Sequence, residues 1–246
     1  MLAARDAQRL EQVAAECRAR GGKAIAVPTD VAREDQCQRL VERTYEEYAR
    51  VDMLLNNAGF AVGAKFDELP DLRLFEQVMH VNFMGAVYCT YHALPHLKAT
   101  KGRIVNISSL GGKVAIPGNT SYVASKFAMN GFSDSLRMEL AATGVSVTVI
   151  CPYWVVTEFH ERFLNKDGKP AGATGRAIYT KRMLTAEQFA PIVVKAAARR
   201  QRLVVMSPGA AAEWLQLIAP SLLDRIIIQS VMRPMIRRME KARLEN

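Results

Sequence analysis

Short apolar runs rich in valine and isoleucine recur along the chain with helical stretches between them. This alternation restricts the fold more than any other feature. AIAV (24–27), MLLN (53–56), RIVNIS (103–108), VSVTVIC (145–151) and RLVVM (202–206) have the length and continuous apolarity of strands buried on both faces of a parallel sheet. Helical patterns at 6–19, 33–49, 72–97, 121–142 and 185–199 lie around them, and Gly144 suits the end of the fourth. The expected architecture is α/β, a doubly wound parallel sheet with helices on both faces. With 246 residues, 50% of them hydrophobic, the chain can bury one sizeable core, so 1–246 reads as one domain.

Composition excludes several classes. No apolar run reaches the roughly eighteen residues of a membrane-spanning helix, and the opening MLAARDAQRL is too polar for a secretory leader. Cys17, Cys37, Cys89 and Cys151 are dispersed and form no CxxC. These features predict a reduced, cytoplasmic protein. The net charge is +9, and residues 221–246 contribute six Arg or Lys against three acids. The basic groups lack interleaved aromatics, which argues against nucleic acid.

In sheets of this kind ligands bind beyond the carboxyl ends of the strands. The sequence places small or polar residues there each time. Asp30 follows the first run, Asn57-Ala58-Gly59 the second, Ser109 and LGGKVAIPG the third, and PYWVVT with Thr157 the fourth. Singly, each suits a turn. Together they describe a crevice on one edge.

TSYVASKFAMNGF (120–132) holds the chemistry. Tyr122 and Lys126 are four residues apart on a helix and share a face. A free phenol, with a pKa near 10, is a poor base at neutral pH, and a nearby ammonium lowers that value. A shift of about two or three units would make it a general acid and base. Ser109, thirteen residues earlier, can hold a carbonyl or alcohol oxygen. Such a trio suits hydride transfer with a nicotinamide. Y-x-x-x-K alone is also a common helix pattern.

NNAG (56–59), VN (81–82), IVNISS (104–109) and SYVASK (121–126), in this order and spacing, resemble the short-chain dehydrogenase/reductase family from about residue 1 to about 157. The resemblance implies a Rossmann-like fold. It implies that Ser109, Tyr122 and Lys126 are catalytic, with Asn82 holding a water in a proton relay from Lys126. Lys126 would also bond the nicotinamide ribose. Asp30 and Val31 match the adenine-contacting pair, and Asn57, Ala58 and Gly59 line the middle of the cofactor. Val155 and Thr157 would face its carboxamide and pyrophosphate end. Helices 72–97 and 121–142 would form a subunit interface, implying a homodimer or homotetramer.

The chain departs from the family in three places. Pro152-Tyr153 replaces a Pro-Gly and reshapes the expected nicotinamide wall. The residues after Thr157 carry no family signature. No first strand and no TGxxxGxG turn occur in the 246 residues, and MLAARD resembles the end of the family's second strand. In that register Ala4 stands where NAD-preferring members carry an acid. Arg5 follows, where a guanidinium would clamp a ribose 2′-phosphate, so NADP is expected rather than NAD. The alternative for Arg5 is a surface arginine opening a helix. The family's sheet order, 3-2-1-4-5-6-7, makes the first strand central, so its neighbours would lie unpaired. The expectation is that about thirty residues, a strand, a TGxxxGxG-like turn and a helix, precede Met1 in the same reading frame.

His92 and His96 are one helical turn apart but have no acid or cysteine at ligand spacing, so no metal is expected. Met79, Met84 and Met138 fall at core spacing. Residues 158–184 read as a substrate lid or a surface loop. Residues 210–246 read as an apolar and basic extension that lies on a membrane surface or packs on the substrate side or on another subunit. The expected function is NADP-dependent interconversion of a secondary alcohol and a ketone, with a small hydrophobic substrate. The alternative is an inactive or scaffold protein of the same fold that does not hold cofactor.

Overall fold

The computed structural model describes residues 1–180, 183–206 and 209–244. In chain order the elements are β1 (Leu2–Ala4), α1 (Ala7–Ala19), β2 (Ala26–Pro28), α2 (Glu34–Tyr48), β3 (Met53–Asn56), β4 (Val62–Gly63) and α3 (Arg73–Met79). A π turn at His80–Met84 leads into α4 (Gly85–Thr100), followed by β5 (Arg103–Ile107), α5 (Thr120–Glu139), β6 (Ser146–Cys151), β7 (Val155–Val156), α6 (Phe159–Arg162) and β8 (Leu164–Asn165). The chain continues with α7 (Ala173–Arg176), β9 (Leu184–Thr185), α8 (Ala186–Ala198), β10 (Leu203–Val205), α9 (Gly209–Ile218) and α10 (Pro220–Ile226). A second π turn, Ile227–Met232, joins α11 (Arg233–Leu244). Each of the five apolar runs overlaps a strand: β3 matches 53–56, β5, β6 and β10 are trimmed by a residue at one or both ends, and β2 is shifted, starting two residues late and ending at Pro28. The expected helix at 72–97 is α3 and α4 with the π turn between them.

The fold is α/β with parallel strands and helices on both faces. Alternation within β5 shows how the layers form, because successive side chains point to opposite faces. Ile104 joins Val41, Ala93, Leu97, Leu136 and Val147 in a cluster under α2, α4 and α5. Val105 and Ile107 join Ile150, Ala196 and Ala197 under α8. Helix α5 ends at Glu139, and Gly144, at φ +78°, makes the turn into β6.

The parallel strands fall into two groups. β1 pairs with β2, while the other group runs β10-β6-β5-β3. β1 and β3 therefore each leave one edge unpaired, as the resemblance implied. β3 is also bare on one face. Leu54 packs into the cluster beneath α4, but Met53 and Leu55, on the opposite face, are 49% and 45% exposed.

The lid region, described except at 181–182, is more ordered in pattern than its sequence suggests. β4 pairs with β8 and β7 with β9. Gly175 lies against the main chain of His160, where a Cβ would stand 1.8 Å from the carbonyl oxygen. The extension is helical as far as 244, and its last two residues, 245–246, lie outside the described residues.

Candidate active site

Ser109 leaves β5 at its carboxyl end and caps a 3-10 turn at Leu110–Gly112, its Oγ accepting from the Gly111 N–H at 3.0 Å. That turn presses onto α5 through Gly112. A Cβ there would stand 2.7 Å from Ser108 Oγ and 2.8 Å from the Lys126 carbonyl oxygen. Asn130 fixes the same turn by donating to the Gly112 carbonyl at 2.7 Å. The serine loop and the first turns of α5 thus form one unit. It brings Ser109 and the Tyr122 ring together around Gly111, where a Cβ would stand 3.4 Å from Ser109 Oγ and 3.6 Å from the Tyr122 ring.

Tyr122 and Lys126 share a face of α5, with Lys126 buried and its Nζ 5.6 Å from the centre of the Tyr122 ring. The ammonium donates to the Ile107 carbonyl at 2.9 Å. The electrostatics differ from the expectation of a phenol lowered by its lysine. Burial pushes the Tyr122 phenol up to about 12, and the Ser109 hydrogen bond offsets only part of this. Burial pushes the Lys126 ammonium down to about 8. The physical reason is placement. The ammonium sits by the ring and a main-chain carbonyl, and desolvation disfavours each charged form.

Asn82 holds the turn beneath the site through its side chain. It lies in the π turn, fully buried, one layer behind the cleft. Its Nδ2 donates to the Phe60 carbonyl at 2.9 Å and to Ser125 Oγ at 3.0 Å, while its Oδ1 accepts from the Phe60 N–H at 2.9 Å. Both amide hydrogens are committed, so this side chain clamps the turn after Gly59. A π turn inside a helix re-aims a side chain in this way.

A cleft of 1610 Å³ runs along the carboxyl edge of the strands. Arg5, Asp30, Val31, Asn57, Ala58, Gly59, Ser109, Tyr122, Lys126, Val155 and Thr157 all line it. Of the residues singled out in the sequence as catalytic or cofactor-binding, only Asn82 does not. Cleft and sequence agree less evenly along its length. Around Tyr122 the packing is close: a Cβ on Gly59 would come within 3.1 Å of Asn82 Oδ1 and 3.7 Å of Lys126 Nζ. At the other end, between β1 and β3, no glycine-rich turn is present in the sequence to receive phosphates.

Sequence reasoning missed several residues. Asn56 donates to Asn106 Oδ1 at 2.8 Å and Asn106 donates to Ser133 Oγ at 2.8 Å, a buried polar ladder joining β3, β5 and α5. An aromatic group formed by Trp154, Phe159, His160 and Tyr179 lies beside Tyr122. Burial pushes His160 down to about 4, which keeps it neutral. The aromatic density of YWVVTEFHERF was the signal for this group. Tyr179 donates its hydroxyl proton to the Thr157 carbonyl. His92 approaches Glu34 at 3.4 Å and His96 stacks on Tyr45 at 4.3 Å. Among the described residues no cluster of three His, Cys, Asp or Glu side chains could hold a metal ion.

A parallel α/β sheet with helices on both faces and a cleft along its carboxyl edge defines a Rossmann-like fold. Residues 1–168 match the short chain dehydrogenase family, and the chain belongs to that family. It is 33% identical over 171 residues to an 11-beta-hydroxysteroid dehydrogenase of Pinus massoniana, spanning 69% of this chain and 48% of that protein. It is 36% identical over 201 residues to a dehydrogenase/reductase SDR family protein 7-like of Anopheles gambiae, spanning 80% of this chain and 62% of that one. The chain therefore spans between 48% and 62% of the length of these curated relatives. An alcohol dehydrogenase from the archaeon Thermococcus sibiricus, solved by X-ray with 5-hydroxy-NADP, superposes with a TM-score of 0.70 over 83% of each chain. At 21% identity it shows the shared fold.

Proposed function

We propose that this short-chain dehydrogenase family member interconverts a secondary alcohol and a ketone with NADP(H), acting on a hydrophobic substrate. The observation that carries the reading is the meeting of Ser109, Tyr122 and Lys126 in one cleft, with the Lys126 ammonium 5.6 Å from the centre of the Tyr122 ring. Bound nicotinamide would supply or accept the hydride. In reduction, the Ser109 hydroxyl holds the carbonyl oxygen and the Tyr122 phenol gives it a proton. A phenol held near 12 stays protonated at neutral pH and is ready to act as the acid. The phenolate left behind is disfavoured by burial, and the Lys126 ammonium is the nearby charge that offsets this. In oxidation the same groups run in reverse.

Apolar side chains of the extension support a hydrophobic substrate. Leu215, Leu223, Ile227, Met232 and Met235 line the far end of the cleft that holds Tyr122. Lys113, next to the serine turn, holds Glu213 of α9 at 3.1 Å. Exposed Tyr91 and Met138, on α4 and α5, support a homodimer or homotetramer through that face. NADP is favoured over NAD by Arg5 at the carboxyl end of β1. Arg5→Ala is expected to weaken NADPH by about tenfold and NADH far less, read by nicotinamide fluorescence, since a charge-assisted bond to phosphate contributes about 1.5–3 kcal/mol. Equal loss for both would remove Arg5 from the 2′-phosphate.

A second reading is a scaffold of this family that does not hold dinucleotide. Titration with NADPH separates the two. Saturable binding, followed by ketone-dependent NADPH consumption in a panel of hydrophobic carbonyl compounds, supports the enzyme. No binding at millimolar NADPH supports the scaffold.

A further inference from the structure

The turn that carries Ser109 is short, and its own hydrogen bonds are local. The Ser109 carbonyl accepts from the Gly112 N–H and the Leu110 carbonyl from the Lys113 N–H, each at 2.9 Å. At its start the turn is tied to the sheet edge, where the Leu110 N–H donates to the Pro152 carbonyl at 2.9 Å. At its end Asn130 of α5 donates through Nδ2 to the Gly112 carbonyl at 2.7 Å.

Asn130 is 7% exposed, and its Oδ1 is buried with no hydrogen-bond partner. The amide is fixed in this orientation, because turning it over would set Oδ1 against the Gly112 carbonyl oxygen. A buried unpaired acceptor costs stability, and an apolar side chain of similar shape would avoid that cost. Packing therefore does not account for an asparagine at this position, whereas the bond to Gly112 does. A cavity of 250 Å³ lies beside it, lined by Asn130, Lys113, Asp134 and Glu213 among others. Lys113 ends the serine turn and borders this space, so close packing does not hold that end of the turn from behind. The Asn130 bond does.

We propose that Asn130 is a positioning residue for Ser109. By holding the Gly112 carbonyl, three residues further on, it sets where the Ser109 hydroxyl stands beside the Tyr122 ring and how that hydroxyl meets a substrate oxygen. This rests on the reading of Ser109 as the group that holds the substrate carbonyl. A displacement of about 1 Å in such a group can cost about 10²-fold in rate, so the bond matters more for turnover than for folding.

The test uses the full chain with Asn130→Leu, which removes the donor and the unpaired acceptor together, and with Asn130→Ala, each alone and combined with Ser109→Ala. Asn130→Leu should melt at or above the wild-type temperature, since no unpaired acceptor remains. It should lower single-turnover ketone reduction by about tenfold or more, with NADPH affinity within about twofold of wild type. If the leucine lowers the melting temperature, Asn130→Ala carries the same kinetic comparison. In the Ser109→Ala background either substitution should change the rate by less than about twofold, because its effect passes through Ser109. Turnover within about twofold of wild type in both single variants, or a full loss that persists without Ser109, would overturn the proposal. If wild type shows no NADPH-dependent ketone reduction, the functional reading fails, and hydrogen exchange decides for Asn130. Faster amide exchange at 109–113 in Asn130→Leu, with the rest of α5 unchanged, upholds its hold on the serine turn, and unchanged exchange there rejects it.

Discussion

Tyr122 and Lys126 are moved in opposite directions by the same burial, up to about 12 and down to about 8. The consequence for pH dependence has a definite sign. Reduction needs a protonated phenol and a charged lysine. The phenol stays protonated well above neutrality, so the lysine sets the limit. The rate of ketone reduction is expected to be flat below pH 8 and to fall as pH rises through about 8. Lys126→Arg, which stays charged, should remove the falling limb even if the plateau is lower. A rate that keeps rising from pH 8 to 10 would contradict this. At this scale the sequence was informative where chemistry is local. The Tyr122–Lys126 pair is fixed by helical spacing and Ser109 by its place after a strand. The environment was not legible, because a phenol's desolvation depends on Phe159, Ser109 and the wall around it. Nor was the bond from Asn130 to the Gly112 carbonyl, whose partners meet only after α5 packs on the serine turn.

Among the elements, β3 carries the least support. It pairs with β5 on one edge only, and Met53 and Leu55 face outward on the side away from α4. Unpaired parallel edges with exposed apolar side chains template association. Met53→Lys with Leu55→Lys is expected to shift the protein toward smaller species in light scattering while leaving its helical content unchanged. No change in size distribution would mean that the edges are protected in solution. The five apolar runs located strands, but only β5 and β6 are buried along most of their length, while β2, β3 and β10 are partly exposed. The two-residue strands β4, β7, β8 and β9 fell outside the runs. The lid folds against the body at Gly63, where a Cβ would collide with Phe163, and onto itself at Gly175, where a Cβ would collide with the His160 main chain. The π turn at His80–Met84 was also hidden, since helix periodicity runs through it and only the buried clamp of Asn82 reveals its purpose.

For the molecule as a whole, the extension joins the cleft to the outer surface. Its inner side lines the far end of the cleft through Leu223 and Met232, both buried. Its outer side leaves Trp214, Leu217 and Ile218 at 70%, 74% and 78% exposure. No helix among the described residues is long and apolar enough to cross a membrane. The exposed group and the basic charge of 221–246 fit an anionic lipid surface instead. Trp214 emission is expected to shift to the blue on adding anionic vesicles at low salt and to return as salt rises, with Leu217→Ser plus Ile218→Ser abolishing the shift. A shift that depends on protein concentration alone would assign this face to a second copy.

The central claim is that Tyr122 transfers the proton in a reaction powered by a bound nicotinamide. The direct measurement compares wild type and Tyr122→Phe in two assays on the same preparations, NADPH affinity by fluorescence and single-turnover ketone reduction. The account predicts a turnover loss of about 10²-fold or more with NADPH affinity within about twofold of wild type, because only the transferable proton is removed. Turnover within a few-fold of wild type in Tyr122→Phe would contradict it.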